Sequence, residues 1–233
     1  MSLNLLPTIK ASFNKYLTTS ARSNEKLKVL HAQIAGDLQK LLGTGYVVES
    51  LGIGKGKERK IDGRYIDKTV DITISRTGGE IVGGVAVKFV MSNYAQNSNN
   101  YFENMLGETA NIRCAHIPYF QILIIPEEMP YYDNSGAIKK AEIFSGHHVK
   151  KYVKLSEDNP STLLHTPDKT LLMIISLPKL NLKTINTKAK YVRAYLGAGV
   201  TLSSVIPNTF KSAVVLNDYD SFMNKITHRM KSV

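Results

Sequence analysis

Residues 65–108 read YIDKTVDITISRTGGEIVGGVAVKFVMSNYAQNSNNYFENMLGE. Two stretches rich in β-branched residues, 64–75 and Ile81–Val90, flank the turn signal Thr77-Gly78-Gly79, so the segment predicts a strand, a turn and a second strand. Strand alternation puts Val85, Val87 and Phe89 on one face and Ala86, Lys88 and Val90 on the other. A lysine inside the apolar run VAVKFV is costly unless its ammonium reaches water or a partner. Asp71 is the matching irregularity on the preceding strand. An isolated acid and an isolated base on paired strands, each against the local pattern, mark a candidate site.

Outward from this segment the pattern alternates helix and strand. Leu27, Leu30, Ile34, Leu38 and Leu41 form one apolar stripe and predict a helix over 23–42. Ser23 or Asn24 can cap it and Gly43 can end it. A shorter helix is expected over 5–18. Tyr46–Leu51 reads as a strand and Gly52–Lys60 (GIGKGKERK) as a Gly/Lys-rich loop, with an earlier hairpin arm to the 64–75 strand expected at 57–62. Residues 91–100 read as polar loop and 101–114 as helix. Tyr119–Ile125 and Thr170–Leu177 are apolar runs of buried-strand length. A loop is expected over 127–140, with helices near 145–155, 185–197 and 218–231. The order predicts one α/β domain, a mixed β-sheet flanked by helices.

Composition narrows the class. The chain has 233 residues, 43% of them hydrophobic, which is too many for a disordered tail. No apolar run approaches the roughly 18–20 residues needed to span a bilayer, and Met1–Lys10 lacks the layout of a signal peptide. A soluble, cytoplasmic protein is therefore expected. The single cysteine, Cys114, excludes an intrachain disulfide and a multi-thiolate metal site. The net charge of +11 suggests a polyanionic partner. It is concentrated in residues 136–233, which hold 15 basic and 6 acidic side chains, against 15 and 13 in residues 1–135.

Asp71 and, after sixteen intervening residues, Lys88 at the end of Ala86-Val87-Lys88 resemble the signature of the PD-(D/E)XK nuclease superfamily, specifically its type II restriction endonucleases. The segment SNYAQNSNNYFENMLGETANIR is similar to the corresponding part of such enzymes. The resemblance covers roughly residues 45–125, the expected catalytic core. It implies a restriction-endonuclease-like sheet, Mg²⁺-dependent hydrolysis of double-stranded DNA leaving a 5′-phosphate and a 3′-hydroxyl, a homodimer, and a cognate DNA methyltransferase in the cell. Asp71 would be a metal ligand, the carbonyl of Val87 another, and Lys88 would assist at the scissile phosphate. The sequence departs from the pattern at Ala86, where the family has a carboxylate. Some members supply that group from the following helix, which implies Glu103 as the second metal ligand. Glu108 is the alternative donor; five residues rotate a helix by about 140°, so the two are not expected to face one ion. Glu49 is a further candidate acid.

The chemistry asks for this set. A phosphodiester is anionic and repels hydroxide, and a divalent ion held by carboxylates neutralises it and acidifies a water. Expected DNA contacts are Lys57 and Arg64, the amides of Asn93, Gln96 and Asn97, and Lys150 and Lys151 in the basic segment 147–154. Each residue also has a structural reading: Asp71 as a strand-end acid paired with Lys68, Lys88 as a snorkelling edge lysine, Glu103 as an acid favoured at a helix N-terminus. Two other functions stay open, a structure-specific or repair nuclease of the same fold and a non-catalytic DNA-binding protein on that scaffold.

Overall fold

The computed structural model describes residues 3–19, 23–206 and 209–232. Two helices, α1 (Leu6–Thr18) and α2 (Glu25–Leu42), precede the strands β1 (Tyr46–Ser50), β2 (Arg59–Asp62), β3 (Asp67–Val70), β4 (Ile72–Arg76) and β5 (Ile81–Phe89). Then come α3 (Tyr94–Arg113), β6 (Tyr119–Pro126), β7 (Glu128–Tyr132), β8 (Ile138–Ile143), α4 (Gly146–Ser156) and β9 (Lys169–Ser176). The chain ends with α5 (Lys188–Tyr195), β10 (Thr201–Leu202), β11 (Val214–Leu216) and α6 (Tyr219–Lys231).

The main sheet is mixed and runs β1-β4-β5-β6-β9-β10, with β11 also on β9. β1, β4 and β5 form an antiparallel meander, whereas β5, β6 and β9 are parallel. The parallel strands explain the unbroken apolar runs: both faces of β6 and β9 are covered, so no polar alternation survives. Phe120, Ile122, Ile124, Leu171, Met173 and Ile175 pack with residues of α1, α2, α5 and α6. The opposite face, with Leu123, Ile125, Leu172 and Ile174, packs on Tyr94 of α3 and Val149, Tyr152 and Leu155 of α4. One core therefore joins Leu5 near the start to Met230 near the end.

Three expectations change. The strand expected over 64–75 is two strands in two sheets. β3 pairs with β2 in a small hairpin, β4 joins the main sheet, and Asp71 sits at the break. The segment 91–100 is not loop, since α3 starts at Tyr94. Tyr94 is buried against Phe144, and the Asn93 amide locks the helix entrance to β7 through Tyr132 N–H at 3.0 Å and Tyr132 C=O at 2.9 Å. Tertiary packing thus overrides a weakly helical composition. The segment expected as loop over 127–140 is mostly the antiparallel β7–β8 hairpin.

The tip of the β2–β3 hairpin is fastened to α3. Asn111 Oδ1 accepts from Tyr65 N–H and Ile66 N–H at 2.9 and 3.2 Å, and its Nδ2 donates to Ile66 C=O at 2.8 Å. Gly63 fits there because a Cβ would lie 2.1 Å from Asn111 Nδ2. Replacing Asn111 by Ala removes three hydrogen bonds and is expected to cost about 1–3 kcal/mol in urea denaturation. It should also speed tryptic cleavage after Arg64. Unchanged cleavage would show that the tip is held by other means.

Candidate active site

Asp71, at the head of β4, and Lys88, on β5, line one cleft of about 990 Å³ with Ala86, Lys68, Gln121, Tyr101, Glu103 and Glu108. The alternation expected in β5 holds: Val85, Val87 and Phe89 are buried in the core, Ala86 is half-buried and Lys88 is exposed. The ammonium of Lys88 lies 4.7 Å from the centre of the Tyr101 ring on α3, a cation–π contact that holds it over the cleft. Asp71 Oδ2 accepts from the backbone N–H of Val87 at 2.6 Å. That bond ties the acid to the strand carrying Lys88.

Burial dominates the electrostatics of Asp71. It pushes the carboxyl up to about 6, opposed by the Val87 hydrogen bond, assisted by the Glu108 charge and again opposed by Lys68 and Lys88. A carboxylate held in such surroundings gains from a cation that replaces lost hydration.

The helix acids do not play equivalent parts. Glu108 forms an ion pair with Lys68 at 2.6 Å and accepts from the Tyr119 hydroxyl. Its charge reaches Asp71. Glu103 is exposed on the same cleft, but the charge that responds to it is Lys151. Because α3 starts at Tyr94, Glu103 is mid-helix rather than in the first turns. Glu49 on β1 pairs with Arg59 at 2.8 Å and is not among the residues lining the cleft.

Two further side chains meet Asp71. His31 on α2, Glu58 before β2 and Asp71 each offer one ligand atom, and these atoms lie within 4.8 Å of one another. His31 is fully buried, and neither ring nitrogen has a hydrogen-bond partner among the described residues. Its Nδ1 is 3.9 Å from Glu58 Oε1, beyond hydrogen-bond reach. Burial lowers the imidazole to about 4, only partly offset by Glu58, so the ring is neutral at pH 7. Glu58 is raised, first by burial and then by the Asp71 charge. These two residues escape a reading by local pattern. The signal for His31 is a polar residue buried beside the apolar stripe of α2. Gln121, opposite Ala86 in the β5–β6 register, gives a similar signal as a polar residue in an apolar run.

The expected DNA contacts divide. Lys57, Arg64, Gln96 and Lys150 are exposed, and Asn97 is half-buried. Asn93 uses its amide inside the fold, as described. Lys151 donates to Ser98 C=O at 2.7 Å and lies over the rings of Tyr94 and Phe102, which makes it a brace between α4 and α3. No helix among the described residues is long and apolar enough to cross a membrane. Comparison with known proteins gives no matching family model, no matching curated protein and no matching solved structure.

Proposed function

We propose that this chain is a metal-dependent nuclease that hydrolyses phosphodiester bonds of double-stranded DNA, acting site-specifically as a type II restriction endonuclease does. The observation that carries the reading is the convergence of Asp71 and Lys88, from consecutive strands of one meander, on a single charged cleft. The chain order α2, β1, β4, β5, α3, β6 around that cleft supports the resemblance on which the reading rests.

Asp71 would hold the divalent ion, Mg²⁺ by the resemblance. Its raised carboxyl and the His31 nitrogens beside it, which have no hydrogen-bond partner among the described residues, fit a cation held there. When bound, such an ion neutralises the phosphate and supplies an acidified water. Lys88, steered by Tyr101, places its ammonium where charge grows on the phosphoryl oxygens. Water oxygen forms the new P–O bond in line with the breaking P–O3′ bond, and the leaving 3′ oxygen takes a proton. Arg64, exposed at the hairpin tip, would contact the DNA backbone beside the cleft. A homodimer on a palindromic site and a cognate methyltransferase complete the proposal.

Ala86 favours one second reading. With no carboxylate there, the fold could serve as a non-catalytic DNA-binding scaffold. Lys88→Met separates the two. The nuclease reading expects duplex cleavage slowed at least about 100-fold, with DNA affinity in a gel-shift assay nearly unchanged. Wild-type binding that weakens with salt, without cleavage under any divalent ion, would favour the scaffold.

A further inference from the structure

We infer that His31, Glu58 and Asp71 form a mixed nitrogen–oxygen site that binds a first-row transition dication such as Mn²⁺ in preference to Mg²⁺. The inference deepens the reading of the cleft as a metal-dependent site, but it concerns which ion is held and by which atoms. It does not require that DNA be the substrate.

The buried histidine carries the argument. A fully buried imidazole normally satisfies both nitrogens, one as donor and one as acceptor. His31 satisfies neither among the described residues. The nearest charged group is the Glu58 carboxylate, at 3.9 Å, and Asp71 completes a set whose ligand atoms fall within 4.8 Å of one another. Atoms bound about 2.1 Å from one ion lie about 3 Å apart when adjacent and about 4.2 Å apart when opposite, so binding draws the widest-set of these side chains together by up to about 1–2 Å. Entry is open from the acid side: the Glu58 side chain is 27% exposed, and Asp71 lines the cleft.

The donor set decides the ion. Mg²⁺ prefers all-oxygen ligation and keeps several waters. Imidazole suits first-row transition ions, and Mn²⁺, the weakest binder and the most oxygen-preferring of that series, is the one nearest to Mg²⁺, so a preference for Mn²⁺ is the stringent case. The three ligands come from α2, the loop before β2 and the head of β4, so an ion there also joins three elements that are distant in sequence. One surplus hydrogen-bonding site on the imidazole remains for a water or a small shift of its neighbours.

The test uses the full chain stripped with chelator and titrated calorimetrically with MnCl₂ or MgCl₂ in the absence of DNA. Wild type is expected to bind Mn²⁺ at least about ten-fold more tightly than Mg²⁺, and His31→Gln to erase that preference. Lys88→Met, which slows cleavage on the nuclease reading, should leave the Mn²⁺ preference in place, so that failure of the site and failure of the nuclease reading are told apart. If His31→Gln does not fold, pulsed paramagnetic resonance of Mn²⁺ on wild-type protein labelled with ¹⁵N-histidine decides. A histidine nitrogen coupling supports the site. Absence of that coupling, equal or tighter Mg²⁺ binding in wild type, or an unaltered preference in a folded His31→Gln would overturn it, and a bound water would then account for His31.

Discussion

Asp71→Asn is expected to raise the melting temperature at pH 8 while ending cleavage. Burial lifts the Asp71 carboxyl from its ordinary 3.8 to about 6 in the folded protein. As pH rises from about 4 to about 6, the unfolded chain releases this proton and the folded chain keeps it. The folded state then binds more protons, so stability falls through that window and stays lower above it. Two pH units correspond to about 3 kcal/mol. The amide, which carries no charge, escapes the penalty and still offers an oxygen to Val87 N–H. A gain of about 2–3 kcal/mol at pH 8 should raise the melting temperature by about 4–10 °C, and the gain should vanish near pH 3.5. A divalent ion should stabilise wild type and leave the variant unmoved. Melts at the two pH values check this. A variant less stable than wild type at pH 8 would make Asp71 the anchor of Val87 rather than a functional acid.

Asp168→Ala is expected to lose about 3–5 kcal/mol of stability. Asp168 Oδ2 accepts from Tyr119 N–H at 3.0 Å and Arg113 Nε at 2.8 Å, and Oδ1 accepts from Arg229 Nε at 3.3 Å. One carboxylate thus ties the start of β6 to the ends of α3 and α6. The Arg113 side chain is only 9% exposed. Its guanidinium keeps the carbonyls of Thr166 and Leu163 at 2.6 and 3.3 Å, but loses its counter-charge. A buried cation without its partner is the costly case, and replacing both partners is not. Adding Arg113→Met to Asp168→Ala should therefore recover part of the loss in guanidinium denaturation. A single-variant loss below about 1 kcal/mol would contradict the account of this junction.

Much of the site was legible because it lies in local pattern. Lys88 breaks the alternation of β5, and its exposure between buried Val87 and Phe89 follows from period 2 alone. The stripe of α2 also survives, with Leu30, Ile34 and Leu38 fully buried. What the local pattern could not show was set by contacts distant in sequence. The start of α3 depends on Asn93 gripping Tyr132 and on Tyr94 packing on Phe144, residues some forty to fifty positions away. The break at Asp71 depends on the chain leaving one sheet for another. His31 and Glu58 become neighbours of Asp71 only through folding, and neither breaks a pattern as plainly as Lys88. The helix acid expected to replace a carboxylate at Ala86 is a related case. Counting residues from Lys88 selects Glu103, whereas the charges acting on Asp71 come from Glu108, Lys68 and Lys88, and the Asp71 charge in turn acts on Glu58.

The most direct test of the central claim is digestion of long, unmethylated phage DNA with the purified chain, with Mg²⁺, with Mn²⁺ and with chelator, beside Asp71→Asn. The account predicts discrete fragments that need a divalent ion and disappear in the variant, with ends carrying 5′-phosphate. Intact DNA in every wild-type lane, or fragments that persist in Asp71→Asn, would contradict it.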